Sequence, residues 1–269
     1  MIIQQISNLK KYNFSNELKF FIISFESIAF HENLVFPYNI LVMVKTNDQS
    51  DESYIDCRQT ETRYVLEASQ YYFIPAGLGI EYHFKSNITY YTFHVGLELF
   101  PGIDLYSSFA KILSGDAGRM MDDIERIYAE QDEFLALCYL REFFFRFFTE
   151  HWPERHPLSS KIPENFCELM RYIKAQSDAT MTVDALADRV KMTREAFSRK
   201  FHLLIKMTPK SFISKCIVEK ITSYLCDSDM TVKEISKKLN FSSEFYLSRF
   251  YKKSIGIAPH DYRKMIQKK

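Results

Sequence analysis

The chain has 269 residues, of which 46% are hydrophobic and 26% are charged, so it is long enough for two ordinary domains with packed cores and is not a disordered protein. No apolar run approaches the roughly 20 residues that span a bilayer, and the first residues do not resemble a signal peptide, so we expect no membrane partner. Five scattered cysteines without a C-x-x-C pair favour free thiols in a reducing cytoplasm.

The charge is distributed unevenly along the chain. Residues 160–269 contain 22 lysines and arginines and 12 aspartates and glutamates, a formal charge of +10, whereas residues 1–159 carry −9. A basic segment joined to an acidic one indicates that only the C-terminal part meets a polyanion such as DNA. A solvated basic face without a partner would show the same asymmetry.

The first hundred residues predict short β-strands. Several apolar or aromatic runs are separated by Asn, Asp, Gly and Pro, which is the pattern of a barrel or sandwich. The runs are 20–25, 38–44, 71–74, 81–84 and 89–95. We therefore expect a β-rich N-terminal domain.

The hydrophobic period changes after Pro101-Gly102 and predicts helices over 105–113, 117–130 and 132–150. The third helix is apolar around most of its circumference. This pattern predicts burial by the sheet on one side and by a second subunit on the other, although an ordinary core helix would also be apolar. We favour a homodimer contact. The segment 151–162, which contains two prolines and two serines, is expected to be a linker.

A repeat runs through the C-terminal segment. Met181-Thr182-Val183 recurs 49 residues later as Met230-Thr231-Val232, and each copy opens a short amphipathic helix with its threonine placed as N-cap. After a short turn the offset becomes 50, so that Phe197-Ser198-Arg199 corresponds to Leu247-Ser248-Arg249. Two capped helices joined by a turn form the helix-turn-helix pattern, and two copies in a basic segment are far more specific than one.

A long helix is expected between the two units, from Pro209 to Asp227, with proline in the first turn, where it is tolerated. Its buried stripe is expected to contain Phe212, Ile213, Cys216, Ile217, Ile221 and Leu225. A rigid connector of this kind holds the two reading helices at a fixed separation. Successive major-groove segments on one face of DNA lie about 34 Å apart.

The second helix of each unit, over 193–203 and 243–253, is predicted to have an inward stripe and a DNA-facing side. Arg199 and Arg249 are equivalent on that side, and arginine is the commonest reader of guanine in the major groove. Taken singly, each arginine fits a solvated side chain or an ion pair with a neighbouring glutamate better, and it is the repeat that favours contact with the groove. The predicted DNA-binding residues are Arg194, Glu195, Ser198, Arg199, His202, Glu244, Phe245, Tyr246, Arg249 and Lys252.

Short motifs in both units carry a family resemblance. They are Leu186-Ala187, Phe197-Ser198-Arg199-x-Phe201, Asn240-Phe241-Ser242, Leu247-Ser248-Arg249 and, most specifically, Gly256-Ile257-Ala258-Pro259-His260-Asp261-Tyr262-Arg263. Through these motifs, residues 163–268 resemble the DNA-binding domain of the AraC/XylS family of bacterial transcription regulators. The resemblance implies two recognition helices that read adjacent major grooves. Lys191 and Lys206 stand where the family usually has glycine.

The N-terminal part resembles the same family in two segments. Phe73-Ile74-Pro75-Ala76-Gly77 followed by Tyr82-His83, and the strand that contains Thr92-Phe93-His94, are similar to the cupin-like barrel of sugar-responsive members. This resemblance implies a small-molecule effector such as a sugar, with Tyr82, His83 and His94 as candidate ligand-binding residues. Taken alone, each histidine fits an ordinary packed or surface role better than a ligand-binding one. Because an open catalytic metal site needs about three protein ligands, we expect no metal and no cofactor.

The sequence therefore predicts an α+β two-domain protein. Residues 1–150 form a cupin-like β-barrel with a helical hairpin for effector binding and dimerisation, 151–162 a linker, and 163–269 an all-α domain with two helix-turn-helix units joined by a long helix. We expect a cytoplasmic, nucleoid-associated bacterial regulator that binds double-stranded DNA, with RNA polymerase as a further candidate partner. The alternatives are a cupin-type enzyme, for which no catalytic or phosphate-binding motif is present, and a barrel that binds a partner protein.

Overall fold

The computed structural model describes residues 17–26, 29–47, 52–107, 109–152 and 162–267. Two compact units are present. Of the described residues, those within 18–96 and 109–152 form the β unit, and Glu17, 97–107 and 162–267 form the helical unit. Apart from its ends, the predicted linker 151–162 lies outside the described residues.

The β-strands form two antiparallel sheets. The strands are β1 (Glu17–Glu26), β2 (Phe30–Val35), β3 (Asn39–Asn47), β4 (Tyr54–Cys57), β5 (Thr62–Val65), β6 (Gln70–Ile74), β7 (Gly79–Phe84), β8 (Ile88–Phe100), β9 (Ile103–Asp104) and β10 (Leu113–Asp116). One sheet has the order β1-β8-β3-β6-β10 with β9 paired to β8, and the other has the order β2-β7-β4-β5. The five predicted apolar runs lie in β1, β3, β6, β7 and β8.

Two helices of the β unit, α1 (Gly118–Ala129) and α2 (Glu133–Glu150), match the predictions for 117–130 and 132–150 within one residue at each end. Asp132 caps α2 by accepting the backbone N–H of Leu135 at 2.9 Å. The ring of Phe144 lies 5.4 to 5.8 Å from its aromatic neighbours Phe20 and Phe148, and 5.6 Å from Phe93 of β8. Aromatic packing therefore covers one side of α2 with the sheet.

The helix expected over 105–113 is not formed, and this prediction was wrong. Residues 105–107 form a turn, and β10 begins at Leu113. The carboxylate of Asp104 accepts the backbone N–H groups of Leu97 and Tyr106, both at 2.8 Å. This side chain closes the turn by supplying acceptors that compete with a helix ladder, as Asp often does.

The helical unit consists of seven helices among the described residues. They are α3 (Glu164–Gln176), α4 (Val183–Arg189), α5 (Arg194–Ile205), α6 (Pro209–Asp227), α7 (Val232–Lys238), α8 (Glu244–Ile255) and α9 (Pro259–Gln267). Helix α6 begins and ends where the sequence predicts, with its proline in the first turn. Every residue of its predicted apolar stripe is buried, so α6 is the core of this unit. No helix among the described residues is long and apolar enough to cross a membrane.

The hairpin of residues 97–107, which continues strand β8, belongs to the helical unit. Its buried Glu98 pairs with Lys174 of α3 at 2.6 Å and accepts the backbone N–H of Gly102 at 3.0 Å. Lys215 of α6 donates to the carbonyl of Gly102 at 2.8 Å and pairs with Glu219 at 2.7 Å. A buried carboxylate of this kind is tolerated because the ammonium group of Lys174 and the backbone N–H of Gly102 both contact it. These contacts fix the hairpin to α3 and α6.

The pKa of Lys215 follows from the same cluster of charges. Burial by itself would lower the pKa of this ammonium group, because desolvation disfavours the charged form. The carboxylates of Glu219 and Glu98 oppose that effect and hold the pKa of Lys215 above its usual value. The lysine therefore stays charged while it holds the hairpin.

Gly102 is required where the hairpin meets α6. Its φ is +74°, and a Cβ added there would lie 2.6 Å from the Cζ atom of Phe212. We expect Gly102→Ala to lower the free energy of unfolding by about 2–4 kcal/mol, since left-handed backbone strain adds to overpacking. Urea denaturation followed by circular dichroism measures this loss.

Gly77 provides the matched control. Its φ is +85°, but a Cβ added there would have no atom within 4 Å. Gly77→Ala should therefore cost only the backbone term, about 1–2 kcal/mol. Equal losses for the two variants would show that the contact with Phe212 is unimportant.

Candidate nucleic-acid interface

The first helix-turn-helix consists of α4 and α5. Thr182 and Thr193 cap the two helices by accepting the N–H groups of Ala185 at 3.2 Å and Ala196 at 3.3 Å. The turn between the helices is closed by the Met192 N–H, which donates to the carbonyl of Ala187 at 3.0 Å. The predicted N-cap at Thr182 is confirmed.

The second helix-turn-helix, α7 and α8, repeats this construction. Thr231 and Glu234 form the predicted capping box, with the Thr231 N–H donating to Glu234 at 2.7 Å and the Glu234 N–H donating to Thr231 Oγ1 at 3.2 Å. The Phe241 N–H donates to the carbonyl of Ser236 at 2.9 Å, the counterpart of the bond that closes the first turn. This turn spans residues 239–243, one residue more than the first, which accounts for the change of offset from 49 to 50.

Both turns and both ends of the reading helices use left-handed backbone conformations. Lys191 and Asn240, one in each turn, have φ values of 55° and 54°. Lys206 ends α5 with φ 60°, and Gly256 ends α8 with φ 109°. The two lysines therefore occupy left-handed positions, which favour glycine, and the turns form with lysine there.

The inward sides of α5 and α8 are held by aromatic contacts. Phe201 of α5 lies 5.5 Å from Phe212 of α6 and 5.6 Å from Phe197, both measured between ring centroids. Tyr251 of α8 meets Thr222 of α6 through their hydroxyl groups at 3.0 Å, in the buried core. Both recognition helices are thus attached to the same central helix.

The outward sides carry the predicted DNA-binding residues. Six of these side chains are exposed charged or aromatic groups on the two helices, and two are half-buried. Arg194 and Tyr246 are exposed but contact neighbouring side chains. The exposed ones are Glu195, Arg199, His202, Phe245, Arg249 and Lys252, and the half-buried ones are Ser198 and Glu244. Each arginine therefore presents its guanidinium to solvent beside its helix.

Arg194 and Tyr246 are both exposed but make local contacts. Arg194 pairs with Asp184 of α4 at 2.8 Å, which ties the start of α5 to α4. The ring of Tyr246 lies 5.6 Å from that of Phe241. Across the described residues, neither Arg199 nor Arg249 has a carboxylate within ion-pairing distance. The two central arginines are accordingly available to an anionic partner.

The sequence prediction missed exposed side chains on this surface, among them Leu203 and its counterpart Lys253. Leu203 of α5 is 66% exposed, and it follows Arg199 by four residues, so both lie on one helix face. Helical spacing from Arg199 would have identified it.

The candidate ligand residues of the β unit lie at two places. Tyr82 and His94 both contact Phe36, with ring centroids 6.2 Å and 5.2 Å away. His83 follows Tyr82 on β7 and points to the opposite face, because side chains alternate along a strand. There it is stacked on Tyr54 at 4.6 Å, with its Nδ1 atom 2.8 Å from that of His31. The structure therefore brings Tyr82 and His94 together and separates His83 from them.

Burial and neighbouring groups have marked effects on pKa at both places. Complete burial raises the pKa of the Tyr82 hydroxyl, which has no hydrogen-bond partner among the described residues. Partial desolvation and the neighbouring His31 lower the pKa of His83. Both side chains therefore favour their neutral forms. A neutral hydroxyl in an aromatic cluster is suited to one hydrogen bond with a buried ligand.

A concave site lies between α1, β10 and the end of α2. Its volume is about 680 Å³. The Tyr71 hydroxyl and His151 Nε2 are hydrogen-bonded at 2.7 Å along its wall, and Arg146 pairs with Asp123. Carboxylates, guanidinium groups and a phenol in one groove provide both donors and acceptors for a polar solute.

Metal ligands do not converge in the part of the chain that the structure describes. No group of three or more His, Cys, Asp or Glu side chains there is arranged to hold a metal ion. The five cysteines are free thiols. Burial raises the pKa of Cys216 to about 12, so that thiol stays protonated.

The C-terminal part is similar to known proteins in sequence. A family model described as a helix-turn-helix domain matches residues 186–265. The melibiose operon regulatory protein of Escherichia coli is 26% identical over 105 residues, which cover 38% of this chain and 34% of that protein. The transcriptional regulator AlkR of Acinetobacter baylyi is 28% identical over 91 residues, 34% of this chain and 30% of that protein. The chain thus spans about a third of the length of these curated relatives.

The fold is similar to solved structures of ToxT from Vibrio cholerae. Apo ToxT superposes with a TM-score of 0.62 at 13% identity, covering 91% of this chain and 97% of that one. ToxT with a bound unsaturated fatty acid gives a TM-score of 0.61 at 12% identity, covering 94% and 98%. This likeness confirms the predicted α+β class, a curled β-sheet domain followed by a helical domain.

Removing the Tyr82 hydroxyl tests whether it serves a ligand. We expect Tyr82→Phe to leave the free energy of unfolding unchanged or to raise it by up to about 1 kcal/mol, because a buried hydroxyl without a partner is costly. Any small molecule that uses this hydroxyl should stabilise the variant less than the wild type in thermal unfolding.

Tyr72→Phe is the matched control. The Tyr72 hydroxyl donates to the carbonyl of Val65 at 2.6 Å and accepts the N–H of Glu67 at 3.0 Å. Its loss should cost about 1 kcal/mol and leave ligand responses intact. A loss of similar size for Tyr82→Phe would mean that its hydroxyl is already satisfied in the protein.

Proposed function

We propose that the chain is a transcription regulator of the AraC/XylS type that binds specific DNA sequences through α5 and α8. The match of residues 186–265 to a helix-turn-helix domain supports this proposal. One observation carries this proposal. Arg199 and Arg249, fifty residues apart, project from the same position of two recognition helices, and both are exposed. The surrounding segment has a formal charge of +10, which suits a polyanionic partner.

The attachment of both recognition helices to α6 supports simultaneous reading of two groove segments. Phe201 and Tyr251 fix α5 and α8 to a single buried helix. Such an arrangement keeps the separation of the helices constant, as two contacts with successive major grooves on one DNA face require. We assign the ten predicted residues on these helices to the DNA interface, with the arginines reading bases and Ser198 and Lys252 contacting phosphates.

Binding to DNA is best measured by fluorescence anisotropy on the gene's own upstream DNA, with excess competitor and a salt series. Arg199→Ala and Arg249→Ala should each weaken specific binding by roughly 10- to 100-fold and relax base preference in one half-site, as expected when one bidentate contact to guanine is lost. The logarithm of the binding constant should fall linearly with the logarithm of salt concentration.

Arg171→Ala controls for the loss of one positive charge. Arg171 is exposed on α3, outside the two recognition helices in the chain, and pairs with Glu164 at 3.4 Å. It should bind DNA like the wild type. Equal losses by Arg199→Ala on specific and random DNA would contradict base reading. If neither upstream DNA nor random-sequence selection yields a binding site, the regulator proposal is wrong.

We further propose that α2 mediates a homodimer. Its side away from the sheet exposes large apolar side chains, a pattern that marks interaction sites in soluble proteins. These are Phe134, Leu135, Leu137 and Phe145, with Phe134 76% exposed. A second copy suits this face, since closed symmetric dimers bring the same apolar surface of two chains together.

Cys138 lies within this face and its thiol is exposed. Cross-linking between two copies of this thiol therefore tests whether the dimer forms. A short bifunctional maleimide should cross-link the native protein into dimers, and Phe134→Ser/Phe145→Ser should abolish the cross-link and halve the mass in analytical ultracentrifugation. Trp152→Ser, which removes an exposed aromatic just beyond α2, is the control. A wild-type protein that sediments as a monomer at micromolar concentration would refute the dimer.

The β unit is proposed to bind a small-molecule effector. The polar groove between α1, β10 and α2 suits a polyhydroxylated ligand such as a sugar, in line with the sugar-operon relative. The aromatic cluster of Tyr82, Phe36 and His94 suits an apolar ligand with one polar group, as the fatty-acid complex of ToxT suggests. Regulation of transcription would then take place on the bacterial nucleoid, with RNA polymerase as a partner.

A further inference from the structure

The first turns of the two recognition helices differ in chemistry. In α8 this turn presents Phe245, which is 76% exposed, and Tyr246, which is 45% exposed. The corresponding residues of α5 are Glu195, which is exposed and charged, and Ala196, which is small and half-buried. The two units are therefore similar in construction but offer different groups to a partner.

The apolar surface on α8 is held in place by the protein. Ser243 caps the helix by accepting the Tyr246 N–H at 3.1 Å. The ring of Tyr246 lies 5.6 Å from that of Phe241, which in turn lies 5.4 Å from Phe250. Because the backbone and the adjacent ring are both fixed, Phe245 projects from a rigid first turn.

The position of Phe245 determines what it can touch on DNA. The N-terminal residues of a recognition helix are those that reach base edges in the major groove. The one apolar group on those edges is the 5-methyl group of thymine, and phenylalanine is among the residues that contact it. Glu195, which stands at the corresponding position of α5, is suited instead to accept a hydrogen bond from the N4 amino group of cytosine.

We propose that Phe245 selects a thymine in the half-site read by α8, so that the two half-sites differ in base composition. This inference rests on the proposed DNA-binding function and adds to it. The α8 half-site contains a thymine whose methyl group packs on Phe245, next to a guanine read by Arg249. In the α5 half-site, Glu195 and Arg199 read the bases through hydrogen bonds and not through a methyl contact. The operator is then an asymmetric sequence, which fixes the orientation of the chain on DNA.

The experiment begins with random-sequence selection by the full-length wild-type protein. Arg199→Ala and Arg249→Ala then identify which half-site belongs to which helix. Each thymine of the selected site is next replaced by deoxyuridine, which lacks only the 5-methyl group. We expect one replacement, in the α8 half-site, to weaken binding by about 3- to 5-fold, the size expected for burial of one methyl group. Replacements in the α5 half-site should have no effect that depends on Phe245.

Variants of the protein complete a double-mutant cycle. Phe245→Ala should weaken binding to the thymine site and should no longer distinguish thymine from deoxyuridine. Phe245→Leu should keep part of the distinction, and Phe245→Glu should shift the preference at that base pair toward cytosine. Leu203→Ala, which removes an exposed apolar side chain from α5, is the matched control and should keep the full distinction.

The outcomes separate this inference from the function on which it rests. If the wild type selects a site but Phe245→Ala responds to deoxyuridine as the wild type does, the thymine contact is refuted while DNA binding stands. Unchanged DNA binding by Phe245→Ala would also refute the inference, because the ring would then contribute nothing to the DNA contact. If the wild type selects no site, the proposed function fails first.

Discussion

Helix α6 is the element on which the DNA-binding arrangement depends. It is buried along most of its length, and the two recognition helices are fixed to it separately, by the packing of Phe201 on Phe212 and by the bond between Tyr251 and Thr222. A buried helix packed at the density of a protein interior does not bend or rotate freely. The separation of α5 and α8 is consequently a property of the core and not of the surface that meets DNA.

The same helix also contacts the hairpin of residues 97–107. Lys215 and Phe212, from successive turns of α6, hold the Gly102 carbonyl and lie against the Gly102 backbone. Phe212 is in contact with Phe201 of the first recognition helix. A strand that starts in the β unit as β8 therefore ends in contact with the residues that position α5.

Local signals in the sequence were sufficient for the helical unit. The caps at Thr182 and Thr231, the bounds of α6 and its buried stripe all depend on residues within one or two turns of each other, and helix periodicity and capping are local effects. The repeat also predicted the extra residue of the second turn. In the β unit the five strongest strands were found, while β2, β4, β5 and β10 were not, because short strands are stabilised mainly by their partners across the sheet.

What the sequence by itself determined is the division into a β-rich part and a helical part, the two helix-turn-helix units and the residues on their exposed faces. The tertiary structure alone decided that residues 105–107 turn instead of forming a helix, that Glu98 meets Lys174, and that Tyr82 and His94 share Phe36 while His83 does not. Glu98 and Lys174 are 76 positions apart, and Phe36 is 46 positions from Tyr82 and 58 from His94. Periodicity and capping describe neighbours in the chain, whereas such contacts exist only after distant segments have packed, and burial then decides which charge or hydroxyl needs a partner.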